Sequence, residues 1–122
     1  MASTILLCEA NPVLRALVRE ILDGRDVVIH EALTGQESVN LARRLRPDLV
    51  ILDLVMPDRS GLDVLEDLRS DALLAGTPVL ICTGVKDSLD VEAAILLGAD
   101  RYLQKPFEAA ELVSAVDKLL AA

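Results

Sequence analysis

Short aliphatic runs recur five times along this chain, and each is followed by a longer amphipathic segment. Ile5-Leu6-Leu7-Cys8, Val27-Val28-Ile29, Leu49-Val50-Ile51-Leu52 and Pro78-Val79-Leu80-Ile81-Cys82 read as strands, and Arg101-Tyr102-Leu103 as a shorter, more polar one. A run apolar at every position, such as Leu49 to Leu52, suits a strand covered on both faces. Five strand-then-helix units therefore predict a doubly wound α/β domain with a parallel sheet and right-handed crossovers. The polar fifth strand suits a sheet edge.

The intervening segments carry helix signals. Pro12 opens the first helix, where a missing N–H costs least, and Gly24 stops it. Leu14, Leu17, Val18, Ile21 and Leu22 share one face of it. The second is expected over Gln36–Leu45, with Val39, Leu41 and Ala42 at most partly buried and Pro47 as its end. A third covers Leu62–Leu73, with Leu62, Leu65 and Leu68 inward. Ser88 or Asp90 is expected to cap a fourth that runs to Leu97 and closes at Gly98. The fifth covers Ala109–Leu120, with Leu112, Val116 and Leu119 on one stripe.

Bulk composition narrows the class. The 122 residues suit one domain, residues 1–122, large enough to bury a core without a disulfide or structural metal. Hydrophobic residues are 52% of the chain and aromatics 2%, so the core is aliphatic. Twenty acids against 12 bases give a net charge of -8, which disfavours direct binding to nucleic acid or to an anionic membrane. Cys8 and Cys82 lie in apolar runs and read as core thiols, suiting a reducing cytoplasm. Met1-Ala2-Ser3-Thr4 lacks the basic start of a signal peptide, and no apolar run reaches the ~20 residues of a membrane span. A cytoplasmic location is the expectation.

In a doubly wound sheet the ligand crevice lies beyond the carboxyl ends of the strands. That edge holds Glu9, Asp53, Thr83 and Lys105, with Glu31 at its outer margin. Asp53 supplies a carboxylate nucleophile. A second acid beside it can help hold a divalent cation. The Thr83 hydroxyl can donate to a phosphoryl oxygen, and the Lys105 ammonium can neutralise added charge. Together they suit an acceptor of phosphoryl transfer. Each also has a plainer reading. Asp53 is then a solvated loop aspartate or a helix cap, Glu9 a surface acid beside a helix start, Thr83-Gly84 a turn and Lys105 an exposed lysine, and Tyr102 is a half-buried edge-strand aromatic. His30 carries no signal as a ligand or phosphodonor.

Three segments in order carry a resemblance over about Thr4 to Leu120. Leu52-Asp53-Leu54-Val55-Met56-Pro57 with Gly61-Leu62, Pro78-Val79-Leu80-Ile81-Cys82-Thr83-Gly84, and Gly98-Ala99-Asp100-Arg101-Tyr102-Leu103-Gln104-Lys105-Pro106-Phe107 resemble the signatures of bacterial two-component response-regulator receiver domains. The resemblance implies a flavodoxin-like (βα)5 sheet of strand order 2-1-3-4-5. It implies Asp53 as phosphoacceptor with Thr83 and Lys105 at the phosphoryl group, and Mg2+ held by Glu9, Asp53 and the Val55 carbonyl. It implies Thr83 and Tyr102 as a switch pair and a cis bond at Lys105-Pro106. Such a domain turns over no outside substrate. Its implied partners are a histidine kinase or phosphotransfer protein, a downstream protein or covalently linked effector domain, and a second copy through helix 4, strand 5 and helix 5.

The sequence departs from the family at one place. Receivers carry two adjacent acids after the first strand, and this chain has Glu9-Ala10. Weak Mg2+ binding is the expectation. The rival reading is a degenerate receiver working as a phosphorylation-independent interaction module. A flavodoxin-like cofactor binder fits less well, because Cys8-Glu9-Ala10-Asn11 puts an acid where phosphate would sit. A phosphatase with an aspartyl nucleophile wants a second acid where Val55 stands.

Overall fold

The computed structural model describes residues 2–121. Met1, which opens the amino-terminal segment considered above, and Ala122 lie outside the described residues. Five strands, β1 (Ser3–Cys8), β2 (Val27–Ala32), β3 (Leu49–Leu52), β4 (Val79–Thr83) and β5 (Arg101–Gln104), form one parallel sheet of order β2-β1-β3-β4-β5. Helices α1 (Pro12–Ile21), α2 (Gly35–Leu45), α3 (Gly61–Ser70), α4 (Ser88–Leu96) and α5 (Ala109–Ala121) connect and follow them. Both the doubly wound class and the 2-1-3-4-5 order are as expected.

Alternation along the strands splits the core into two layers. Leu6, Cys8, Val50, Leu52, Val79 and Ile81 face α2, α3 and α4 through Val39, Ala42, Val64, Leu65, Leu68 and Ala94. Ile5, Leu7, Leu49, Ile51, Leu80 and Cys82 face α1 and α5 through Val18, Leu22, Leu112, Val116 and Leu119. Cys8 and Cys82 thus lie in different layers. Burial pushes each thiol up to about 12, so both stay protonated and inert near neutral pH.

Local chemistry sets the boundaries. Asn11 caps α1, accepting from the Val13 N–H at 2.9 Å, and Pro12 takes the first helical position. Thr34 caps α2, one residue earlier than expected, and Arg46 ends that helix in the left-handed region at φ 46°. Val39 and Ala42 are fully buried, against the expectation of partial burial, because α2 lies under α3 as well as on the sheet. Helix α3 stops at Ser70 rather than Leu73, since the Asp71 carboxylate turns back to accept from the Leu73 N–H. The cap of α4 is Asp87, not Ser88 or Asp90; its side chain accepts from the Leu89 N–H at 2.9 Å. Leu17, expected inward on α1, is 40% exposed.

Candidate functional site

Register brings the chemistry together. Cys8 of β1 pairs with Leu52 of β3, so Glu9 and Asp53 leave the sheet side by side at the point where strand order reverses. The Asp53 N–H donates to the Cys8 carbonyl at 3.1 Å. Thr83 ends β4 opposite Gln104 of β5, and the Lys105 N–H donates to the Thr83 carbonyl at 2.9 Å.

Lys105 then reaches back across the sheet. Its Nζ donates to Asp53 Oδ2 at 2.8 Å and also to Glu9 Oε1. Glu9 is 6% exposed, Asp53 7% and the Lys105 side chain 16%, so this is a recessed triad of two anions and one cation. Burial by itself pulls the Lys105 pKa down. The hydrogen bonds and charges of Asp53 and Glu9 outweigh it and hold the ammonium above the ordinary lysine value. The remaining carboxylate oxygens are bonded to main chain: Asp53 Oδ1 accepts from the Val55 N–H and Glu9 Oε2 from the Asn11 N–H, each at 3.1 Å. Among the described residues no buried side-chain N or O lacks a partner.

Thr83 and Tyr102 meet at one residue of the β4–α4 loop. The Val85 N–H donates to Thr83 Oγ1 at 3.3 Å, and the Tyr102 hydroxyl donates to the Val85 carbonyl at 2.7 Å. Tyr102 is half-buried against the α2–α3–α4 layer. Thr83 itself is fully buried. The Lys105-Pro106 bond is cis.

The β3–α3 loop folds back at its far end very close to the residues that follow β3. The Gly61 N–H donates to the Leu54 carbonyl at 2.8 Å, and a Cβ on Gly61 would lie 2.3 Å from the Asp53 carbonyl oxygen. Only glycine permits that approach.

Glu31 stays out of the site, paired with Arg15 at 2.8 Å and with Arg19. The Arg19 hydrogen bond, ahead of the opposing effect of burial, holds the Glu31 carboxyl below the ordinary value. Sequence reasoning passed over Arg15, whose guanidinium donates to the Glu9 and Ala10 carbonyls at 2.8 and 2.9 Å and braces the β1–α1 loop. Its one signal was a cation in the first helical turn beside Glu9. It also passed over Asp58, which bonds to α2 from the β3–α3 loop and is separated from it by more than twenty residues.

The donor set has the chemistry of a magnesium site, but a sparse one. Magnesium takes hard oxygen ligands and keeps several waters. Glu9 and Asp53 offer carboxylates, and Val55, 64% exposed, offers a main-chain carbonyl. Among the described residues no three His, Cys, Asp or Glu side chains gather as a metal cluster. Ala10 is where a third acid would stand.

Residues 5–117 match the response regulator receiver domain family model. The chain belongs to that family. This receiver domain is 33% identical to the chemotaxis protein CheY of Halobacterium salinarum, over the full length of both. It is 40% identical over 117 residues to the probable transcriptional regulatory protein TcrX of Mycobacterium tuberculosis, covering 96% of this chain and 49% of that protein. Several of the curated relatives it matches are, like that one, about twice its length. Among solved structures, the receiver domain of the Pseudomonas aeruginosa sensor histidine kinase PA1611 superposes with a TM-score of 0.90 at 25% identity, over the whole of both chains. That structure has a magnesium ion coordinated in its active site cleft.

Proposed function

We propose that this receiver domain accepts a phosphoryl group on Asp53 and passes the signal to the surface of α4, β5 and α5. The observation that carries the reading is the Lys105 contact, 2.8 Å from its Nζ to Asp53 Oδ2. It supplies a fixed cation beside a recessed carboxylate at the sheet's switch point.

The chemistry follows from the groups present. An Asp53 carboxylate oxygen attacks the phosphorus of a phosphohistidine or an acyl phosphate. A P–O bond forms, the bond to the donor breaks, and the leaving group departs with its electron pair. Lys105 and the Thr83 hydroxyl meet the phosphoryl oxygens as charge gathers there, the main demand in such transfers. The triad carries net charge of one negative unit before reaction. The phosphoryl group adds about one further unit once it replaces the aspartate charge. Glu9, Asp53 and the Val55 carbonyl would hold the magnesium ion that, when bound, offsets this charge. The partner supplying the group is a histidine kinase or phosphotransfer protein. The receiving partner is a downstream protein or a linked effector domain, as the longer relatives suggest. A cytoplasmic location and a homodimer through α4, β5 and α5 belong to the same reading. No helix among the described residues is long and apolar enough to cross a membrane. The domain assists only its own phosphorylation and dephosphorylation.

A small acyl phosphate with magnesium is expected to add one phosphoryl group by intact mass, and Asp53→Asn to abolish it. Undiminished labelling of that variant would overturn the assignment. One observation favours a second reading: with Ala10 the site has two acids and no third. A degenerate receiver would then serve as a phosphorylation-independent interaction module. It would show neither labelling nor magnesium-dependent binding of beryllofluoride.

A further inference from the structure

Asp58 lies outside the triad, yet it is fastened more firmly than an exposed loop acid needs to be. Its Oδ1 accepts from the Gly35 N–H at 2.7 Å and its Oδ2 from the Gln36 N–H at 3.0 Å. These are the first two N–H groups of α2, which have no partner inside the helix. Thr34, the local cap, takes the Glu37 N–H and leaves these two for Asp58. The carboxylate also sits at the positive end of the helix dipole. The hydrogen bonds from Gln36 and then Gly35 hold its carboxyl below the ordinary range. Beside it the Arg59 stem lies directly over Gly35. A Cβ there would be 2.4 Å from Arg59 Cγ, and the Arg59 head is paired with Asp67 at 2.8 Å.

We propose that Asp58 is a positioning residue for the Asp53 site, which it serves by tying the β3–α3 loop to the start of α2. The loop is anchored at its far end by Gly61 against Leu54, and in the middle by Asp58. Between these anchors and β3 lies Val55, whose N–H orients Asp53 through a 3.1 Å bond to Oδ1. Freed from α2, the loop lets Val55 drift, and the Asp53 carboxylate loses one of its two orienting donors. Asp58 also caps α2, taking the two N–H groups that Thr34 leaves, and the same two bonds hold the loop in place. The reach of this role into phosphoryl transfer rests on the reading of Asp53 as acceptor and of the Val55 carbonyl as a metal ligand.

The test compares Asp58→Ala with Thr34→Ala in the full chain. Both remove caps from α2, but only the first releases the loop. Both are expected to lower the melting temperature. Only Asp58→Ala is expected to speed hydrogen exchange of the Val55 amide, by about fivefold, the factor one hydrogen bond is worth. Only Asp58→Ala is expected to weaken magnesium binding, read from the Asp53 and Val55 amide resonances. Asp58→Asn, which keeps the shape and one acceptor oxygen, is expected to fall between wild type and Asp58→Ala and serves if the alanine variant does not fold. Equal Val55 exchange in the Asp58 and Thr34 variants overturns the proposal, as does wild-type exchange in both Asp58 variants. Absence of acyl phosphate labelling in the wild type would count against the acceptor reading alone, because the exchange measurement does not depend on it.

Discussion

Lys105 Nζ lies 2.8 Å from Asp53 Oδ2 and bonds to Glu9 through the same nitrogen, so one cation from the β5 end holds two acids from the β1 and β3 ends. The sheet's two halves are joined at their carboxyl edge by this contact.

Lys105→Met should therefore harm both stability and chemistry. It leaves two recessed carboxylates without their cation. Loss of one partner of a fully buried pair costs about 3–5 kcal/mol. This site opens to solvent at its rim, so a loss of about 2 kcal/mol is expected, measured by urea unfolding at neutral pH. The labelling rate with acyl phosphate should fall sharply in the same variant.

The alkaline limb of stability should report the same contact. The Lys105 pKa is raised in the folded state. A raised pKa means stability fully present below the unfolded lysine value, about 10.4, and lost as pH climbs through the folded value above it. Unfolding midpoints above about pH 10 should drop more steeply for wild type than for Lys105→Met. Parallel curves would mean the ion pair adds nothing.

Ala10→Asp should restore a third acid to a two-acid site. Magnesium affinity by titration calorimetry should rise and labelling should quicken. The metal-free protein should melt lower, because one more anion joins a cluster that already outnumbers its cation. Equal magnesium affinity in the two proteins would mean Glu9 already suffices, and the degenerate reading would lose its support.

Tyr102 and Thr83 share Val85 as a common partner, which makes their coupling measurable. If Thr83 turns toward a phosphoryl group, the Val85 N–H loses its acceptor and the carbonyl held by Tyr102 moves with it. Beryllofluoride with magnesium should then shift the Val85 and Tyr102 amide resonances along with that of Asp53. A shift at Asp53 alone would show the two ends to be uncoupled. Tyr102→Phe should cost about 1 kcal/mol and relax the β4–α4 loop.

Gly61→Ala should destabilise the fold by about 1–3 kcal/mol, as overpacking does. The added Cβ would meet the Asp53 carbonyl at 2.3 Å. Because the displaced backbone is that of Asp53, the proposed acceptor, labelling should fall further than stability, comparing mass spectrometry with thermal melts.

Much of this was legible in the chain itself. Leu49 to Leu52, apolar at each position, read as a strand covered on both sides. The residues following each strand had to meet at one edge, since parallel strands all end on the same side. Asp53, Glu9, Thr83 and Lys105 were found that way, because strand periodicity is a local property written residue by residue. What periodicity cannot carry is the reach of a side chain between elements distant in sequence. Lys105 was open to reading as a surface lysine and Glu9 as a surface acid; their contact, across 96 residues, exists only after β1, β3 and β5 are laid side by side. The Asp58 grip on α2 is of the same kind. Asp87 took the α4 cap over Ser88 and Asp90 because each is a competent capping residue, and only backbone geometry chooses among them. Local chemistry determined the elements and their order. The tertiary structure decided which charges share a site, because those distances depend on the sheet's register and on the packing of its two helical layers.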